Sequence, residues 1–113
     1  INSSNLFSNS IFLINNNSID IDGAFQVDGQ GCTKTAATFT NNVNATATFG
    51  SADVNDCSSF FNNYGDIVVN GDFQLSKTEQ ANFVNHATGF IDVKTGATDG
   101  TFSTTSNTSF TNN

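Results

Sequence analysis

"NNYGDIVVNGDFQL", residues Asn62 to Leu75, is compatible with two folds. Asn70-Gly71 between alternating apolar residues is a strong local signal for a two-residue β-hairpin. The same residues also suit a bend in a chain that keeps winding in one direction. A hairpin meander and a parallel coil are different kinds of molecule, and relatives of this stretch within the chain distinguish them.

Earlier in the chain, "INNNSIDIDGAFQV", Ile14 to Val27, lies on it, with Ile19 on Ile67, Gly23 on Gly71, Phe25 on Phe73 and Val27 on Leu75. Half that offset reaches "VNATATF", where Val43 and Phe49 take the Ile and Phe places, and an equal step beyond Ile67 reaches "IDV" at Ile91. Each copy is preceded by an apolar residue and asparagine, in "FLINNN", "FTNN", "FFNN", "FVNH" and a final "FTNN". On this alignment the place of Gly71 is Ala47 in one copy and Thr95 in another, so no obligatory reversal is shared. A self-similar period of about 24 residues is the mark of a repeat architecture.

The expectation is therefore an all-β, single-chain parallel β-solenoid of about five rungs, forming one domain over residues 1–113. Ile19, Val43, Ile67 and Ile91 would form one inward stack, Ile21, Ala45, Val69 and Val93 a second, and Phe25, Phe49, Phe73 and Phe102 a third. Rungs about 4.8 Å apart bring like side chains into contact along the axis. The asparagines that follow each aromatic marker are placed to form an amide ladder at a corner. Cys32 and Cys57 are about one rung apart, within disulfide reach, and a bridge between them is expected.

The composition agrees. Asn, Thr and Ser supply 45 of 113 residues, Trp, Met and Pro are absent, and twelve phenylalanines offer a core. Thr, Val, Ile and Phe favour strands, while Asn and Gly favour turns. Ten acids against three lysines give a net charge of −7, which opposes nucleic-acid and anionic-membrane partners. The apolar run "IFLI", Ile11 to Ile14, is too short for membrane insertion. The chain begins at Ile1 rather than Met, as expected of a processed protein or an excerpt. Sequons at Asn2, Asn16, Asn44 and Asn107 permit glycosylation, and with a cysteine pair they favour an extracellular or cell-surface location.

"FNNYGDIVVNGDF", Phe61 to Phe73, resembles the repeats of filamentous-haemagglutinin-like adhesins. The likeness is fair over Phe12 to Val27 and Phe83 to Val93. That resemblance implies a right-handed β-helix shaft exported by two-partner secretion. The two ends of the chain also complete each other's repeat: "FTNN" followed by "INSSNLF" parallels the internal "FTNNVNATATF", Phe39 to Phe49. A slice of a longer solenoid and a subunit that stacks head to tail both fit this.

Little points to catalysis. His86, the single histidine, sits in a corner segment beside Asn85. The outward column Asp20, Asn44, Val68, Asp92 separates its acids, so no paired-carboxylate site is expected. Asp20, Asp22 and Asp28 are weak candidates for a surface Ca²⁺, with solvated acids the simpler account. No cofactor is expected, because "DGQGC" lacks the Lys-Ser/Thr of a phosphate loop. The expected function is structural and non-enzymatic: a filament subunit or adhesin shaft that partners itself, or flanking repeats of a longer chain, and meets surface glycans or other cells. The alternatives are a donor-strand β-sandwich pilus subunit and an ice- or glycan-binding β-solenoid.

Overall fold

The computed structural model describes residues 2–3, 6–9, 12–28, 37–55, 59–76, 82–94, 102–104 and 109–112. Among them there are strands and no helix. The strands are β1 (Asn2–Ser3), β2 (Leu6–Asn9), β3 (Phe12–Asn15), β4 (Ser18–Asp28), β5 (Ala37–Asn41), β6 (Thr46–Asn55), β7 (Ser59–Asn63), β8 (Asp66–Val69), β9 (Phe73–Ser76), β10 (Asn82–Asn85), β11 (Phe90–Val93), β12 (Phe102–Thr104) and β13 (Ser109–Asn112).

They form two sheets, and the chain alternates between them. Sheet A has eight described strands, along the path β1-β4-β6-β8-β11 with β2, β9 and β12 continuing the same levels; sheet B has five, in the order β13-β10-β7-β5-β3. Every pairing between described strands is parallel. The antiparallel sandwich considered from sequence is therefore not the arrangement found.

The question posed by Asn70-Gly71 is answered by pairing. β8 and β9, on either side of it, both lie parallel to β6: Thr46–Phe49 against Asp66–Val69, and Ala52–Asn55 against Phe73–Ser76. Between them Asn70 N–H donates to the Phe49 carbonyl at 2.8 Å, and Ala52 N–H to the Asp72 carbonyl at 2.9 Å. A hairpin would have turned β9 back onto β8; here the chain bends and continues. A Cβ on Gly71 would come within 2.7 Å of the Gly50 carbonyl oxygen, and one on Gly50 within 2.1 Å of the Asp22 carbonyl oxygen. The partner of Gly71 one level down is thus Gly50, not Ala47. Close backbone approach at the bend explains the choice of glycine.

The register corrects the inward stacks in the same way. Ile19 pairs with Ala47, Ala47 with Ile67, and Ile67 with Ile91. Val43 is not in this stack: it lies in the corner before β6 and is 54% exposed. The step from Ile19 to Ala47 is longer than the repeat and the step from Ala47 to Ile67 is shorter by the same amount. A constant step therefore finds Ile67 and Ile91 and misses the member between. Ile21, Phe49, Val69 and Val93 form the second stack, with Phe49 where Ala45 was expected. In the third, Ala52 stands between Phe25 and Phe73, and Phe102 follows. Phe49 still contributes its ring there, stacked on Phe25 at 4.4 Å between centroids and 10° between planes.

Facing these columns, sheet B aligns Leu13, Phe39, Phe61, Phe83 and Phe110. The rings of Phe39, Phe61 and Phe83 succeed one another at 4.7 and 5.1 Å and meet sheet A edge to face, as Phe39 meets Phe25 at 4.9 Å. Such offset and T-shaped contacts are the favoured geometry of packed aromatics. Among the described residues, Phe25, Phe39, Phe49, Phe61, Phe73 and Phe83 are fully buried, whereas Phe12, Phe60 and Phe90 face outward. The core takes only part of the phenylalanine complement.

Candidate functional site

Strands β3, β5, β7 and β10 each carry an apolar residue pointing in and, two residues later, an asparagine that also points in; Asn112 continues the row on β13. These asparagines fall in register: Asn15 on Asn41, Asn41 on Asn63, Asn63 on Asn85, Asn85 on Asn112. Their side chains form an unbroken ladder. Asn15 Nδ2 donates to Asn41 Oδ1 at 2.8 Å, Asn41 to Asn63 at 2.9 Å, Asn63 to Asn85 at 2.8 Å, and Asn85 to Asn112 at 2.8 Å.

The Nδ2 of each of these four donors also bonds to the main chain. Asn15, Asn41 and Asn63 each reach the main-chain carbonyl that opens the sheet A strand one level further on, Thr46 of β6 at 2.8 Å, Asp66 of β8 at 3.1 Å and Phe90 of β11 at 3.0 Å, while Asn85 reaches Gly89 of its own corner at 2.9 Å. The carbonyl oxygens of Asn15 and Asn63 accept from the amides of Asn17 and Gly65 as well. Only a carboxamide, donor and acceptor at once, repeats in this way. Asn15, Asn41, Asn63 and Asn85 are buried, and a buried amide is tolerated because its groups are paired. The amide ladder expected at the corners is present.

The ladder has a direction. Every amide donates towards β13, so Asn112 is the donor end and Asn15 the acceptor end. The strands that carry them, β13 and β3, are the two edges of sheet B. At both edges the core is less complete than in the middle. Leu13, Ile91 and Val93 are only half-buried, although Phe39, Ile67 and Val69 on the same columns are fully enclosed. Phe12 and Ile14 on β3 and Phe90 on β11 are exposed because they lie on the outer faces of their sheets, as Phe60 does on β7.

The corners after the ladder have two or four residues. In the four-residue corner before β6, Ala45 N–H donates to the Asn42 carbonyl at 3.0 Å, and Asn44 takes φ 65°, a left-handed conformation that asparagine tolerates. His86 opens the other four-residue corner. Its ring stacks on Tyr64 at 3.8 Å and 6°, and its Nε2 lies 3.5 Å from Asn62 Oδ1. No sequence signal singled out the Tyr64–His86 pair; their common place one level apart, immediately after Asn63 and Asn85, would have found it.

Of the other residues singled out from sequence, Asp20 and Asp22 are exposed on the outer face of β4. Asp28 ends that strand, and its side chain lies outside the described residues. Among the described residues no three acids, histidines or cysteines come together as a metal site. Asn16 and Asn44 are exposed at corners. Cys32, Cys57 and Asn107 lie outside the described residues, as do the side chains of Asn2 and Phe102. Threonines Thr38 and Thr40 face outward from β5, but their columns read Phe12, Thr38, Phe60, Asn82 and Ile14, Thr40, Asn62, Val84, so no threonine ladder forms there. The chain matches no protein-family model, no curated protein and no solved structure.

Proposed function

We propose that the chain is a five-rung parallel β-solenoid with a structural, non-enzymatic role, a filament subunit or shaft segment outside the cell that extends by axial stacking. The observation that carries this is the directional asparagine ladder, which runs between the two strands that end sheet B among the described residues. A donor end and an acceptor end are complementary to each other and not to themselves, which selects head-to-tail addition. Setting β13 beside the β3 of a following unit puts Asn112 on Asn15, Thr111 on Ile14 and Phe110 on Leu13, the register used between internal strands. The added strands would pair the edge backbone groups and cover the half-exposed Leu13, Ile91 and Val93. The following unit is a second copy or a further repeat of a longer chain. A shaft of this kind agrees with the resemblance of Phe61 to Phe73 to filamentous-haemagglutinin-like adhesin repeats.

The substitution Asn112→Asp tests it selectively. An aspartate still accepts the bond from Asn85 Nδ2 but has nothing to donate to the next Asn15, and it adds a charge at the junction. Elongation followed by light scattering is expected to slow at least tenfold while the circular dichroism of the subunit is unchanged. Assembly of Asn112→Asp at the wild-type rate, or a wild-type chain that stays monomeric at every concentration, overturns the reading.

A further inference from the structure

We infer that the groove beside Tyr64 is a binding site for neutral saccharides. It is lined by Asn16, Thr40, Asn42, Val43 and Tyr64. Asn42 and Tyr64 follow Asn41 and Asn63 directly, and Asn16 follows Asn15, so the three stand on successive levels of the same corner. His86 stands one level further on and covers one face of the Tyr64 ring. The other lining residues all come from the levels before Tyr64, so the groove opens onto the ring's opposite face. Stacking on His86 also fixes the ring: the aromatic wall is held in place before any ligand arrives, which lowers the ordering cost of binding.

The chemistry of the wall defines the ligand. An aromatic face, one exposed aliphatic side chain, a hydroxyl and two carboxamides suit a pyranose, which has an apolar C–H face and a rim of hydroxyls. Asn42 Nδ2 donates to Asn16 Oδ1 at 2.6 Å, and that bond leaves the Asn42 carbonyl oxygen and the Asn16 amide hydrogens outside it, one acceptor and one donor group for sugar hydroxyls. The two amides are one level apart, about 4.8 Å along the axis, similar to the length of one hexopyranose unit. Among the described residues no charged side chain lines the groove, and the chain's net charge of −7 repels sialylated or sulfated glycans. With no carboxylate among these lining residues, the site binds a glycan without cleaving it. The inference stands on the groove alone and does not depend on axial stacking.

Tyr64 is the only tyrosine and there is no tryptophan, so intrinsic emission reports the groove directly. Titration with mannotetraose, cellotetraose and chitotetraose is expected to change that emission saturably for at least one of them. Sialyllactose and a heparin tetrasaccharide are expected to bind at least tenfold more weakly. Asn42→Ala should weaken the responding saccharide at least fivefold with unaltered circular dichroism. Val43→Arg, at a solvent-facing corner position away from the core, should fill the groove and abolish the response even if Asn42→Ala disturbs folding. A flat titration with all three neutral saccharides, an equal or stronger response to the charged ones, or an unchanged response in Val43→Arg overturns the inference. Light scattering on the same samples reads assembly separately, so a failure of either proposal is seen as its own.

Discussion

The two sheets solve the same packing problem differently. Sheet B stacks like on like: its inward positions read Phe39, Phe61, Phe83 in one column and Asn15, Asn41, Asn63, Asn85 in the next, with no break in register. Sheet A stacks by complementary volume. Its columns mix sizes, Ile19 with Ala47 and Phe25 with Ala52, and its register shifts at the bends, between Ile21 and Ala24 on β4 and again where β6 passes from β8 to β9. The difference follows from chemistry. A chain of amides works only if every member is an amide in phase, whereas an apolar column needs only filled space, which neighbouring columns can share. Phe49 shows this sharing, with its backbone in one column and its ring on Phe25 of another.

Four substitutions challenge that contrast, each read by urea denaturation of the unassembled subunit. Phe61→Ala removes a ring that touches Phe39, Phe83, Phe73, Phe25 and Phe49, and a loss of about 3–5 kcal/mol is expected. Asn63→Ala interrupts the ladder at its centre and strands the buried amide of Asn41 and the carbonyl of Asn85, for roughly 2–4 kcal/mol. A cost below about 1 kcal/mol, within the net value of a single ordinary hydrogen bond, would mean that sheet B does not depend on continuity. Ala47→Ile makes a like-on-like isoleucine column in sheet A, yet it should cost about 1–3 kcal/mol, the usual effect of adding methylenes at an enclosed position. Stabilisation there would erase the distinction between the sheets. Val43→Thr, at the corner position that even spacing assigns to that column, should stay within about 0.5 kcal/mol of wild type.

Much of sheet B was legible in the sequence, because its rule is strict. An apolar residue, any residue and then asparagine occurs at Leu13-Ile14-Asn15, Phe39-Thr40-Asn41, Phe61-Asn62-Asn63, Phe83-Val84-Asn85 and Phe110-Thr111-Asn112. Spacing between these markers varies, but the marker itself does not. Sheet A was less legible for the opposite reason. Equal spacing from Ile19 through Val43 to Ile67 looked like a column, but the corner before β6 has four residues where the corner before β4 has two, and that shifts the inward position to Ala47. A small residue carries no hydrophobic signal, so Ala47 and Ala52 could be placed only by pairing. The groove was hidden too: Tyr64 and His86 are a whole repeat apart in the chain, and only the register of β7 on β10 brings them together.

The bend at Asn70-Gly71 likewise became decisive through its partners. Taken alone it suggests a hairpin; placed above Gly50 it is a corner that the backbone can pass only without a side chain.

The central claim is that the asparagine ladder and both sheets continue from one unit into the next. Cryo-electron microscopy of assembled chain, with fibre diffraction of the same sample, tests it most directly. The account predicts strands perpendicular to the fibre axis, a meridional spacing of about 4.8 Å and a rise per subunit of about 24 Å, five strand spacings, with Asn112 beside Asn15 at each junction. Strands parallel to the fibre axis, or a junction in which β13 and β3 do not meet, would contradict it.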